Sequence, residues 1–132
     1  MYNRYTIDNT IFKIAIYIRL SREDGDDMES ESVTNQRSLL NGYLKAQNLV
    51  AVDIYIDDGY TGTNFERPDF KRMLNDIEKG KINMVITKDL SRLGRDHIMT
   101  GYYVETYFPE NDVRYIAVND DIDTFYETSG SD

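Results

Sequence analysis

The chain has 132 residues, enough for one domain with a real core, and its 40% apolar and 30% charged residues exclude a disordered polymer. No run of 18 apolar residues and no signal-peptide pattern occurs, so no helical membrane span is expected and a cytoplasmic location is the default. Zero cysteines exclude disulfides and thiolate chemistry, one histidine leaves almost no nitrogen ligands for a metal, and a net charge of −9 argues against a broad DNA-gripping face.

Short apolar runs alternate with amphipathic stretches, the rhythm of an α/β domain with a mainly parallel sheet of about four strands flanked by helices. Residues 11–18 form the first run, and the polar stretch 21–31 follows, with Asp24, Asp26 and Asp27 reading as a solvated loop. Val33, Gln36, Leu40, Tyr43, Leu44 and Gln47 then recur at helical spacing, with Glu29 and Glu31 near the start to suit the helix dipole. Residues 50–56 alternate as a second strand, and residues 57–66, with Gly59 and Gly62, read as a mobile loop. Pro68 opens a helix carrying Phe70, Met73, Leu74 and Ile77 on one face, with Gly80 beyond its end. Residues 84–87 are a third strand, 98–108 a helix ending at Pro109, and 113–118 a fourth strand. The polar stretch from Asp120 holds no further element. The expected organisation is an N-terminal extension over 1–11, one domain over 12–119, and a polar tail over 120–132 read as a cut inside a longer protein.

In open α/β sheets the working residues gather where strands end. Three polar clusters fall at such ends and supply one hydroxyl and four arginines: Ser21 with Arg19, Arg67, Arg92 and Arg95. Neither helix nor strand periodicity calls for arginines there. Bidentate guanidinium donors are what attack on a phosphodiester requires when no metal stabilises the phosphoryl charge. Taken alone, Ser21 is equally a turn or cap serine, each arginine a surface residue, and Gln36 a polar residue tolerated at a helix rim. His97 reads as an exposed residue at a helix start.

Four motifs together narrow this. Tyr17-Ile18-Arg19-Leu20-Ser21 is similar to the tyrosine-x-arginine-x-serine nucleophile motif of serine recombinases. Ser32-Val33-x-x-Gln36-Arg37 resembles the start of their first long helix, whose glutamine faces the active site. Glu66-Arg67-Pro68-x-Phe70-x-x-Met73-Leu74 resembles the segment that supplies another active-site arginine, and Ser91-Arg92-Leu93-Gly94-Arg95-Asp96 the arginine-leucine-x-arginine loop. The wording of the last two leans toward the large integrases and transposases. The resemblance implies a resolvase-like three-layer fold and a site-specific recombinase. Ser21 would attack the scissile phosphate to give a 5′-phosphoserine intermediate, the arginines would stabilise it, and strands would be exchanged and rejoined without cofactor or metal. It also implies double-stranded DNA as partner and dimers and tetramers in the full-length enzyme, with this piece alone weak for DNA. One departure stands out: the family commonly has aspartate directly before the first arginine of that loop, where this chain has Ser91. Asp89 and Ser91 are both candidates for that aspartate's role.

Two rival functions come from other classes. A metal-dependent nuclease could be built on Asp57-Asp58 or on Asp120-Asp121-x-Asp123, leaving the arginines unexplained. A recombinase-like domain could also serve only as a dimerisation module. A receiver domain would need acidic residues where Arg19-Leu20-Ser21 stand. Nucleotide-binding glycine motifs are absent, and His97 lacks the arginine three residues later that a tyrosine recombinase needs.

Overall fold

A computed structural model describes residues 11–21 and 32–125; the acidic residues Asp24, Asp26, Asp27, Glu29 and Glu31 lie outside them. Five strands make one sheet. They are β1 (Ile14–Leu20), β2 (Ala51–Asp58), β3 (Met84–Thr87), β4 (Arg114–Ala117) and β5 (Ile122–Asp123). The order across the sheet is β2-β1-β3-β4-β5, with the first four parallel and β5 antiparallel to β4. Four parallel strands match the sequence pattern. The fifth was not expected, because two residues carry no readable period. The sheet thus extends past residue 119, which corrects the expectation that no further element follows Asp120.

The strand period of two sorts the core into two faces. Ile14, Ile16 and Ile18 face Leu40 and Leu44 of α1 (Val33–Ala46). Ala15 and Tyr17 face Phe70, Met73 and Ile77 of α2 (Pro68–Glu78), together with Phe108. The result is the three-layer α/β sandwich expected from the sequence. Helix α1 starts at Ser32, whose hydroxyl accepts the Asn35 amide at 3.1 Å, the ordinary work of a cap.

Two short helices, α3 (Leu90–Leu93) and α4 (His97–Tyr102), follow β3, where the sequence suggested only a loop before residue 98. The helix that begins as α4 does not stop at Pro109. It passes through a π turn (Tyr103–Tyr107) into α5 (Phe108–Glu110), the Phe108 amide reaching the Tyr103 carbonyl. Proline has no amide for the carbonyl four residues back, and the widened turn just before it accommodates that loss.

β2 is an edge strand, and side chains cover its outer backbone. Asp53 accepts the Ile54 amide at 2.7 Å, Arg72 donates to the Ile54 carbonyl at 3.2 Å, and Asp69 accepts the Ile56 amide at 2.8 Å. An edge so occupied offers fewer groups to a foreign strand.

Candidate active site

The carboxyl ends of β1, β2 and β3 converge, and three arginines are buried there. Arg19 and Arg67 are 0% exposed and Arg92 is 1% exposed; Ser21, just past β1, is buried at 5%. Arg95 differs, because its side chain is exposed at the rim. Each buried guanidinium has been given its own set of acceptors.

Arg19 ties two loops together. Its Nε donates to the Arg92 carbonyl at 3.3 Å, Nη1 to the Tyr60 carbonyl at 3.2 Å, and Nη2 to the Ser91 carbonyl. Its own carbonyl, two residues before Ser21, receives Gln36 Nε2 at 2.9 Å and Arg92 Nη1 at 3.1 Å. Gln36 is therefore no rim residue: fully buried, it anchors the backbone that carries Ser21.

Arg92 is held by the two residues that competed for one role. Ser91 Oγ donates to Asp89 Oδ1 at 2.5 Å and accepts from Arg92 Nε at 3.3 Å and Nη2 at 3.2 Å. Asp89 Oδ1 also accepts the Arg92 amide at 3.2 Å and lies 3.6 Å from Arg92 Nε. Asp89 thus reaches Arg92 partly through Ser91, and both side chains contact the Arg92 guanidinium or amide.

Arg67 is the least conventional of the three. Its Nε donates to the Asn64 carbonyl at 3.0 Å and its Nη1 to the Tyr17 hydroxyl at 2.8 Å. The guanidinium stacks 4.4 Å from the Phe65 ring centre and 5.2 Å from that of Phe70. Its Nη2 is buried with no hydrogen-bond partner. Among the described residues no carboxylate bonds to Arg67. Tyr17 in turn donates to Asp57 Oδ2 at 2.7 Å. Burial pushes the Tyr17 phenol well above its ordinary range, so it stays a neutral hydroxyl.

Sequence reasoning left the role of Tyr17 unassigned and offered Asp57 only as a metal ligand. Asp57 caps α2 from a distance, accepting the Asp69 amide at 2.9 Å and the Phe70 amide at 2.9 Å. The signal was present: α2 opens with Arg67-Pro68, and Arg67 offers no side-chain cap. Its first amides needed an acceptor from elsewhere. The same bonds correct the metal-ligand reading of Asp57, whose carboxylate is buried and committed to three donors. In the second acidic run, Asp120 accepts the Leu90 amide at 2.6 Å and Asp123 pairs with Arg114 at 2.6 Å. Among the described residues no group of three or more histidines and acids could hold a metal ion.

The loop after β2 is fastened rather than mobile. The Gly59 and Tyr60 amides donate to the Leu20 carbonyl at 2.7 and 3.2 Å, and the Gly62 carbonyl accepts the Arg95 amide at 2.7 Å. Gly59 takes φ +94°, which suits glycine. Gly62 is needed for space: a Cβ there would lie 2.7 Å from Arg19 Nη2.

A mainly parallel α/β sheet with three buried arginines and a buried serine at its strand ends is the arrangement expected of a resolvase-type domain. The comparisons agree. Residues 14–131 match the family model "Resolvase, N terminal domain", and the chain belongs to that family. The structure is similar to the N-terminal catalytic domain of TP901-1 integrase, at 35% identity and TM-score 0.75, covering 84% of this chain and 80% of that one. It is also similar to a resolvase family site-specific recombinase from Streptococcus pneumoniae, at 27% identity and TM-score 0.68, covering 92% and 78% of the two chains. A protein of Bacillus subtilis (strain 168), provisionally named a DNA recombinase, is 31% identical over 106 residues, which are 80% of this chain and 20% of that protein. The chain thus spans about a fifth of that relative's length.

Proposed function

We propose that this domain breaks and rejoins DNA in site-specific recombination, with Ser21 as nucleophile. Ser21 Oγ forms a bond to the scissile phosphorus, the bond from phosphorus to the 3′ oxygen breaks, and the 3′ hydroxyl leaves with a proton. The cleaved strand stays attached through a 5′-phosphoserine. One ester replaces another, so rejoining is the same step reversed and needs no energy source.

Arg67 carries the reading. A buried cation without a carboxylate is costly to fold, and a DNA phosphate bound at the strand ends would supply the anion that Arg67 lacks. Arg92, held by Ser91 and Asp89, supplies a second charge, and exposed Arg95 meets the DNA at the rim. Arg19 and Gln36 set the backbone leading to Ser21. Double-stranded DNA is the partner, and dimers and tetramers of the longer protein carry out the exchange. A charge of −9 makes the 132-residue chain a weak DNA binder alone.

The test is a protein containing this domain, mixed with its site DNA. Cleaved 5′ ends should carry protein, the adduct should survive excess EDTA, and Ser21→Ala should abolish it. An adduct that persists in the alanine variant overturns the assignment.

A further inference from the structure

The segment after β4 bends back over the arginine loop and is fastened to it. The Asn119 amide donates to the Lys88 carbonyl at 2.8 Å. Asp120 Oδ2 accepts the Leu90 amide at 2.6 Å, gripping the first residue of α3. Asp121 then turns the chain at φ +57°, a left-handed conformation that aspartate tolerates better than most residues. Ile122 packs into the core cluster that holds Leu90 and lines, with Leu90 and Ser91, an open groove of about 490 Å³.

The far end of this segment is anchored independently. Asp123 takes Arg114 Nε at 2.9 Å and Nη2 at 2.6 Å. Thr124 Oγ1 accepts the Tyr115 amide at 2.9 Å, and the Phe125 ring lies 4.4 Å from the Arg114 guanidinium. A second route leads back from the same place. The Tyr115 and Thr87 hydroxyls share a bond of 2.6 Å, and Thr87 Oγ1 donates to the Asp89 carbonyl at 2.8 Å. Residues 118–125 therefore hold one end of α3 while resting on a fixed point of the sheet.

We infer that this segment is a strut that sets the arginine loop, and that Asp120 is a positioning residue for Ser91 and Arg92. Leu90, Ser91 and Arg92 are consecutive residues of a one-turn helix too short to hold its own shape. The Asp120 carboxylate supplies an acceptor for the first amide of that turn. Release of the bond lets the turn unwind, and Arg92 loses its aim from Ser91 and Asp89. The effect on catalysis rests on the recombinase reading; the effect on the loop does not.

The experiment compares Asp120→Ala and Asp120→Asn with wild type by NMR of the 132-residue chain, and by DNA cleavage in a protein containing it. Asparagine keeps an acceptor oxygen, so it should rescue. Alanine should speed amide exchange at Leu90 and Arg92 about tenfold, the scale of one lost hydrogen bond, and shift the Arg92 Nε–H resonance. Cleavage by the alanine variant should show a kcat about tenfold lower at unchanged KM. Asparagine should stay within about twofold of wild type in each measure. An Arg92 resonance unmoved by alanine, even with faster exchange at Leu90, overturns the strut, because the bond would then be only a local cap. So does an asparagine variant that behaves as alanine does. Should Ser21→Ala leave the DNA adduct intact, the recombinase reading falls while the Arg92 resonance still judges the strut.

Discussion

Arg67 and Arg114 are both buried arginines beside the same sheet, and they are held in opposite ways. Arg114 opens β4 at the amino end of the strands, where Asp123 grips it through two oxygens and the Phe12 and Phe125 rings flank it at 5.2 and 4.4 Å. Arg67 lies at the carboxyl end among neutral acceptors and ring faces, with no carboxylate bonded to it among the described residues. The first arrangement neutralises a charge and fastens two segments. The second leaves a buried charge without a carboxylate, at the end of the sheet that carries Ser21. The contrast teaches that the identity of an arginine's acceptors, more than its burial, separates a neutralised arginine from one whose charge is left uncompensated.

The comparison can be sharpened by substitutions, taken from the largest expected effect on stability down. Arg114→Met leaves Asp123 as an uncompensated carboxylate and should cost about 3 kcal/mol, a fall of about 10 °C in Tm by calorimetry. Gly62→Ala pushes a methyl against Arg19 Nη2 and against Arg95 Cγ, which would lie 2.7 and 3.0 Å away. The expected cost is about 1–2 kcal/mol, with cleavage falling further than that loss of stability explains. A variant with full activity would mean that the Arg19 position is not needed at the site.

Arg72 offers the mildest case, an exposed arginine paired with Asp53 at 2.9 Å and Asp69 at 3.3 Å. Arg72→Ala should lower stability by less than about 1 kcal/mol, since exposed pairs are screened, and should raise aggregation by uncovering the edge of β2. Desolvation pulls the Asp53 carboxyl up, but the Arg72 bond and charge, the Ile54 amide and the Tyr55 hydroxyl together outweigh it and hold the group below its ordinary value. A depressed carboxyl stabilises the fold above its unfolded pKa of about 4, and that contribution is lost as pH falls through the lower folded value. The gap in denaturation midpoint between wild type and Arg72→Ala should therefore be wider at pH 7 than at pH 3. An equal gap at both would remove Asp53 from the account.

Much of this was legible in the sequence, for identifiable reasons. Isoleucines at 14, 16 and 18 and the Pro68 helix carry strong periods, so β1 and α2 read directly. Arg19, Arg67 and Arg92 read as candidates because no local pattern required them, and the structure buries all three at the same strand ends. What failed was structure without a period: β5 is two residues long, α3 is four, and the π turn before Pro109 hides inside a helical pattern. The loop after β2 read as mobile from its glycines, whereas Gly62 is there to let Arg19 pass. Tyr17 stayed without a role, and Asp57 read only as a candidate metal ligand, because their partners, Arg67 and the first amides of α2, lie at least ten residues away in the chain. Asp89 and Ser91 read as rivals because the sequence cannot show one hydroxyl bridging a carboxylate to a guanidinium.

The central claim is that the Arg67 charge is retained for a phosphate and not for the fold. Arg67→Met tests it most directly, because methionine fills much of the volume without the charge. Its Tm is set beside those of wild type and Arg114→Met, and its adduct with site DNA beside that of wild type. The account predicts an Arg67→Met protein that melts at or above wild type and forms no adduct, since removing an unpaired buried cation relieves a desolvation cost. A variant that loses as many degrees as Arg114→Met, or that still attaches to DNA, would contradict it.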